Sequence, residues 1–210
     1  MTNPPTTRWW WVRHAPTIRH GGAIYGNSEV ACDTSDEASF RGLAARLPED
    51  ALWVTSHLGR ARETATAIVA GGAKAPTPLV EEDLGEQCFG DWQGQTHADL
   101  ARENTPAYHK FWLAPARHAP PGGESFTDVM VRVGAVIERL TEAYGGRDIV
   151  AVAHGGSIRA ALAVALGVDA NADASLCFSV DNLSITRIDH IPGPGAGGNW
   201  KIVSVNQSPT

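Results

Sequence analysis

The sequence predicts an α/β protein built on a mainly parallel, doubly wound sheet with helices on both faces. Two observations along the 210 residues lead to this prediction. Short apolar runs that read as strands recur along the chain, and segments with helical spacing of their apolar residues lie between them. Such alternation is typical of parallel sheets, in which the connection between neighbouring strands is usually a helix.

Three apolar runs have the character of buried strands, at residues 8–13, 51–56 and 149–154. Apolar residues at helical spacing follow the second run over residues 60–69 and the third run from residue 158 onward. These segments therefore predict strand–helix units that share one sheet.

The second half of the chain contains the longest predicted helix. Residues 125–143 carry apolar side chains on one face, and Ser125 with Asp128 three residues later forms a start that resembles a capping box. Two further strands are predicted at residues 184–190 and 201–205, on either side of a segment rich in glycine and proline.

The length and composition of the chain predict the number of domains. A chain of this length with 43% hydrophobic and 19% charged residues is long enough to bury a core. We expect a single domain over residues 1–210, in which insertions at about residues 18–34 and 86–123 form a small cap.

Charge, hydropathy and cysteine content narrow the function classes. No uninterrupted apolar stretch of about 20 residues occurs, so we expect no membrane span. The net charge of −6 disfavours nucleic acid and anionic membranes as partners, and it leaves a small phosphorylated metabolite open. Residues 1–7 lack the features of a signal peptide, and the three cysteines are odd in number and widely spaced, so we expect a cytoplasmic location.

Histidines follow two of the predicted strands. His14 and His154 come at the ends of the first and third apolar runs, and Arg60 follows the second. Ligands of open α/β sheets bind beyond the carboxyl ends of the strands, where these three side chains would meet. Arg13 beside His14 suits phosphate chemistry, because a guanidinium binds phosphoryl oxygens and a neutral imidazole attacks phosphorus. Taken alone, a histidine after a strand is more often structural.

Three other features carry candidate chemistry. Arg60 lies where a helix begins and could face an anion, or it could belong to a solvated helix face with Glu63. Glu86 lies in a loop with Phe89 and Trp92, whose apolar surroundings would suit it to general acid catalysis. Gly155 after His154 permits a backbone N–H to approach an oxyanion.

The motifs together resemble the ordered series of the histidine phosphatase (phosphoglycerate mutase-like) superfamily, and most of all its small α-ribazole phosphatases and broad phosphomonoesterases. The motifs are RHAPT at residues 13–17, SHLGRARET at 56–64, EQCFGDWQG at 86–94, PPGGES at 120–125 and VAHGGSIR at 152–159. The resemblance implies a hydrolase that forms a phosphohistidine and needs no cofactor. It departs from the usual pattern at Ala15 and Pro16, where glycine and an acidic residue are common.

The resemblance also implies roles for individual residues. His14 resembles the phosphorylated nucleophile, Glu86 the proton donor and His154 the second active-site histidine. Arg13 and Arg60 resemble the phosphate clamps, and Thr17 and Gly155 complete the expected substrate-binding set; no metal ligand is expected. Whether His20, Tyr25 or Asn27 contacts phosphate stays open.

Alternative functions remain at this point. A phosphoglycerate-type mutase would use the same residues, although family mutases tend to carry a longer insertion between the acid and the second histidine. A non-catalytic module that binds a phosphorylated ligand would share the fold. The substrate, the oligomeric state, the pH optimum and regulation are not predicted.

Prolines are expected to break residues 96–122 into short pieces that cover the site. Aromatic and cationic side chains there, such as Tyr108 and Arg117, could contact the leaving group. Alternatively, Phe111 and Trp112 only anchor a surface helix to the core.

Overall fold

A computed structural model describes residues 5–18, 21–168, 172–193 and 200–209. Within them, six strands form one sheet in the order β3-β2-β4-β1-β5-β6. The strands are β1 Thr7–Arg13, β2 Leu52–Thr55, β3 Leu79–Val80, β4 Asp148–Ala153, β5 Ile185–His190 and β6 Trp200–Gln207. The helices are α1 Glu37–Arg46, α2 Gly59–Ala70, α3 His97–Glu103, α4 Pro106–Leu113, α5 Phe126–Ala143 and α6 Gly155–Leu166.

The sheet is mostly parallel, as predicted. Strands β1, β2, β3 and β4 pair in parallel, whereas β5 pairs antiparallel with both β1 and β6. Neighbouring β2, β4 and β1 therefore all end at the same edge of the sheet. This edge is where ligands of open α/β sheets bind.

Helices cover both faces of the sheet, because side chains of a strand alternate between its two faces. Trp9 and Trp11 of β1 belong to a core cluster that also contains buried residues of α5 and α6. Val12 belongs to the opposite cluster, which contains buried residues of α1 and α2. The predicted fold class is confirmed.

Some elements differ from the sequence prediction. Helix α1 and strand β3 were not predicted, although Asp36 caps α1 by accepting a hydrogen bond from the backbone N–H of Ser39. Prolines were expected to break residues 96–122 into short pieces. The structure has two short helices there, and Pro106 lies in the first turn of α4, where its missing N–H costs nothing.

The two segments predicted as a cap lie against each other. The backbone N–H of Ile24 donates to Gln95 O at 2.8 Å, and that of Gly94 donates to Ile24 O at 2.8 Å. The side chain of Gln93 donates to Ser28 Oγ at 2.8 Å. These bonds hold residues 21–29 beside the loop that begins at Glu86.

The predicted capping box of α5 is present. Ser125 Oγ accepts from the Asp128 N–H, and the Asp128 carboxylate accepts from the Ser125 N–H at 2.9 Å. Ser125→Ala removes a bond to the helix start, and we expect the free energy of unfolding to fall by about 1 kcal/mol in urea denaturation. The control Thr66→Ala, at an exposed position within α2, should lose no stability, since alanine favours helix. Equal effects of the two substitutions would contradict the capping role.

Candidate active site

The ends of three parallel strands bring the predicted residues together. His14 follows β1, His154 follows β4 and Ser56 follows β2. The rings of His14 and His154 lie with their centroids 5.1 Å apart. Both histidines are fully buried, which is unusual for a titratable side chain unless it is held in its neutral form.

The ring of His14 is held with one nitrogen bonded and the other unbonded. Its Nδ1 lies 2.7 Å from Ala15 O, and because a carbonyl only accepts, Nδ1 carries the proton and donates. Nε2 is buried and has no hydrogen-bond partner within the described part of the chain. Burial, together with the charges of Arg60 and Arg13 and against the opposing effect of the bond to Ala15, lowers the pKa of His14 to about 3. His14 is therefore neutral near pH 7, with the Nε2 lone pair available.

Backbone contacts fix the position of His14. Its N–H donates to Ala153 O at 2.9 Å, which ties it to the end of β4. The side-chain amide of Asn182 donates to His14 O at 2.7 Å, and the N–H of Ala15 donates to Thr64 Oγ1 at 2.8 Å. The histidine is thus anchored to β4, to α2 and to the segment before β5.

His154 occupies the N-cap position of α6 beside His14. Its Nε2 lies 2.7 Å from Ser56 Oγ, and Ser56 Oγ also accepts from the Leu58 N–H at 3.3 Å. Burial lowers the pKa of His154 well below its ordinary value, and the charges of His14 and Arg60 act in the same direction. His154 Nδ1 is buried without a partner among the described residues.

Two arginines supply positive charge at the same place. Arg60 is fully buried and donates to Ser28 O at 2.8 Å and to Gly26 O at 2.7 Å. Its guanidinium lies 5.1 Å from the centroid of the Tyr25 ring. Burial lowers the pKa of Arg60, and the negative charge of Glu86 opposes this. An arginine remains charged under all ordinary conditions.

Arg13 donates to Val180 O, and the buried Nε atoms of Arg13 and Arg60 have no partners within the described residues. Burying the Arg60 guanidinium and the Nε of the partly buried Arg13 beside neutral histidines is costly unless an anion compensates their charge. Unbonded buried donors and excess positive charge at one point are the features of an anion-binding site.

Glu86 faces the same region from the loop after β3. Its Oε1 accepts from the Gly156 N–H at 3.0 Å and from the Gln87 N–H at 2.9 Å. A β-carbon at Gly156 would clash with Oε1, so glycine is required for this approach. Phe89 lines the same cavity as Glu86, whereas Trp92, which was expected nearby, is buried in a cluster with Leu100 and Phe111.

The loop that carries Glu86 is held by an ion pair that sequence reasoning missed. Arg132 of α5 and Glu124 form two hydrogen bonds, at 2.8 and 3.0 Å. Arg132 also donates to the carbonyls of Asp83, Gly85 and Glu86. Glu124 lies within the PPGGES motif, but helical spacing alone gave no signal for Arg132, which contacts the Glu124 side chain and three backbone carbonyls of the loop.

The remaining predicted residues are placed less centrally or are not described. Gly155 lies at the start of α6, and a β-carbon there would be 3.7 Å from Arg13 Nε. Thr17 pairs through its backbone with Cys32, and no described hydrogen bond joins its side chain to the site. His20 lies outside the described residues. The N–H of Asn27 donates to Gln93 Oε1.

Arg159 is a second residue that the sequence analysis missed. It is half-buried and donates from Nε to Phe178 O at 2.8 Å. Burial lowers its pKa, opposed by the charge of Glu86 and reinforced by that of Arg13. Its position in VAHGGSIR, four residues after Gly155 and one helical turn on, was the available signal.

The described residues contain neither a metal-binding cluster nor a membrane-spanning helix. Among residues 5–18, 21–168, 172–193 and 200–209, no group of three or more His, Cys, Asp or Glu side chains is arranged to hold a metal ion. In the same residues, no helix has the length and apolar character needed to cross a membrane.

With this geometry established, comparison with known proteins decides the family. The model of the histidine phosphatase superfamily (branch 1) matches residues 9–207. The chain belongs to the histidine phosphatase superfamily. The resemblance found in the motifs is confirmed.

Curated relatives of this chain include two phosphatases of similar length. A glucosyl-3-phosphoglycerate phosphatase of Mycolicibacterium vanbaalenii is 32% identical, over 94% of this chain and 96% of that protein. The adenosylcobalamin/α-ribazole phosphatase of Escherichia coli is 28% identical, over 95% and 91%. A bifunctional protein of Mycobacterium tuberculosis is 38% identical, but the chain spans only 54% of its length.

A solved structure has the same fold. The structure of a mycobacterial glucosyl-3-phosphoglycerate phosphatase superposes with a TM-score of 0.79 at 27% identity, covering 97% of this chain and all of that one. The relatives thus include phosphatases whose names specify different phosphorylated substrates.

The buried neutral histidines of this chain predict a pH-dependent stability. His14 binds its proton with a pKa of about 3 when folded and about 6.5 when unfolded. The contribution of neutral His14 to the free energy of unfolding is therefore fully present above pH 6.5. It falls by about 1.4 kcal/mol for each pH unit as the pH decreases toward 3. In His14→Asn, we expect the slope of the unfolding free energy between pH 6.5 and 4.5 to be smaller by about that amount.

Urea denaturation at several pH values measures this slope. His109→Asn is the matched control, because His109 is exposed on α4, and its slope should equal that of the wild type. A wild-type slope in His14→Asn would mean that His14 takes up its proton equally well in the folded and unfolded chain.

Proposed function

We propose that this chain is a metal-independent phosphatase that hydrolyses a small phosphomonoester through a phosphohistidine on His14. The observation that carries the proposal is the unbonded Nε2 of a neutral, buried histidine beside the unbonded Nε atoms of Arg13 and Arg60. A neutral imidazole is a nucleophile, and the two guanidinium groups attract the phosphoryl oxygens to it.

In the first step, His14 Nε2 attacks phosphorus and the bond from phosphorus to the ester oxygen breaks. Arg13, Arg60 and His154 stabilise the equatorial oxygens of the transition state, and the N–H of Gly155 adds a further donor. Glu86 gives its proton to the leaving alcohol. The Nδ1–H bond to Ala15 O stabilises the positive charge that develops on the ring.

In the second step, water replaces the leaving alcohol. Glu86, now a carboxylate, takes a proton from water, and the oxygen attacks the phosphohistidine so that inorganic phosphate leaves and neutral His14 is regenerated. The same carboxyl group serves both steps because its position, set by Gly156 and by the Arg132–Glu124 pair, is on the leaving-group side of phosphorus.

The surrounding chain completes the proposal. Residues 18–34 and 86–123 act as a cap over the site within a single domain, which the hydrogen bonds between Ile24 and residues 94–95 support. The substrate belongs to the small phosphorylated metabolites, as the names of the relatives suggest. Free Cys32, Cys88 and Cys177 fit a reducing, cytoplasmic location.

Trapping the intermediate tests the nucleophile. Brief incubation with labelled phosphomonoester, followed by alkaline denaturation, should leave an acid-labile label on the wild type in the presence of a chelator. His14→Ala should lose both label and turnover, whereas His109→Ala should keep both. Label on His14→Ala would refute His14 as nucleophile, and ligand binding without turnover in the wild type would favour a binding module.

Leaving-group dependence tests Glu86. Glu86→Gln should slow an alkyl phosphate by about a hundredfold or more, the usual contribution of a general acid, but p-nitrophenyl phosphate far less, since its leaving group needs little protonation. Arg60→Ala should slow both substrates alike. Equal losses on the two substrates for Glu86→Gln would exclude it as the acid.

A further inference from the structure

An apolar cavity of about 210 Å³ lies beside the candidate site. Aromatic side chains form much of its wall, and these belong to Phe89, Trp92, Phe111, Trp112 and Phe126. Trp92 and Phe111 pack edge to face with centroids 5.1 Å apart. Trp112 is 49% exposed, although an aromatic side chain of this size usually gains from burial.

The cavity shares lining residues with the site. Ile24, Phe89 and His97 line both this cavity and a second one of about 300 Å³, which Glu86 also lines. Arg159 lines the apolar cavity as well, and its guanidinium would be 3.4 Å from a β-carbon at Gly155. A group bonded to the ester oxygen near Glu86 therefore reaches the apolar cavity along Phe89.

The size and lining of the cavity define what it accepts. An apolar protein cavity of about 150 Å³ is large enough to bind benzene. Aromatic walls favour planar rings, which stack or pack edge on against them. The polar and titratable side chains in the lining are Gln87, His97 and Arg159, and Gln87 already donates to Glu124 O at 2.9 Å.

We propose that this cavity is the leaving-group subsite and that it selects phosphomonoesters whose alcohol carries an apolar planar ring. This inference rests on the proposed phosphatase function and specifies its substrate class. It differs from the prediction that Tyr108 and Arg117 contact the leaving group. Tyr108 packs against Trp92 and Trp112, and neither Tyr108 nor Arg117 is among the described residues that line the cavity.

A comparison of two substrates tests the subsite without changing the chemistry of the leaving oxygen. Phenylethyl phosphate and ethyl phosphate both release a primary alcohol, so protonation by Glu86 matters equally for each. We expect kcat/KM of the wild type to be at least about tenfold higher for phenylethyl phosphate, since even small apolar groups gain this much in a fitting pocket.

Two substitutions assign the preference to the cavity. Leu176→Trp fills the cavity, and Trp112→Ala removes one wall of it, at a position that is half-exposed. Both substitutions should reduce the preference for phenylethyl phosphate to less than about threefold, while ethyl phosphate turnover stays near the wild-type level. Leu113→Trp is the matched control, because Leu113 is 82% exposed on the same helix as Trp112, and it should keep the preference. If Leu176→Trp does not fold, Trp112→Ala alone decides.

The outcomes separate this inference from the proposed function. Hydrolysis of ethyl phosphate without preference for phenylethyl phosphate would overturn the subsite and leave the phosphatase proposal standing. A preference that survives in both Leu176→Trp and Trp112→Ala would also overturn it. No turnover of either substrate and no label on His14 would overturn both proposals.

Discussion

The hydrogen bond from His14 Nδ1 to the carbonyl of Ala15, made in a fully buried position, sets the chemistry of this site. The bond places the ring proton on Nδ1, and burial beside Arg13 and Arg60 makes a second proton on Nε2 unfavourable. Because both arginines keep unbonded Nε donors, the same arrangement that leaves Nε2 as a lone pair also attracts an anion to it. This constraint on the burial and hydrogen bonding of His14 therefore produces both the nucleophilic Nε2 and its position at the anion-binding site.

The scaffold meets that constraint with backbone contacts from several elements. Parallel pairing of β1 with β4 and of β4 with β2 brings His14, His154 and Ser56 to one edge of the sheet. The loop that carries Glu86 is held by the ion pair of Arg132 with Glu124. Arg132 also makes charge-assisted hydrogen bonds to three carbonyls of this loop, and these bonds limit where Glu86 can lie. Small changes in the position of a catalytic group have large effects on catalysis.

Strong local patterns made much of the fold predictable. The β1 and β4 segments are apolar runs that end in histidines, and α5 has both its apolar face and its capping box in the sequence. Helix α1 was missed because it buries only Phe40 and Leu43, which is too sparse a pattern for recognition. Arg132 and Asn182 donate to backbone carbonyls distant in sequence, and these bonds depend on tertiary structure that local spacing does not encode. The burial that neutralises His14 has the same origin.

The protonation state of His14 can be observed directly. Nitrogen NMR of protein labelled with ¹⁵N-histidine, assigned with His14→Asn, reports which ring nitrogen carries a proton at each pH. The account predicts that His14 keeps its proton on Nδ1, with Nε2 unprotonated, throughout a titration from pH 8 to pH 5, because its pKa is about 3. Protonation of Nε2 near pH 6.5, or a neutral ring with its proton on Nε2, would contradict it.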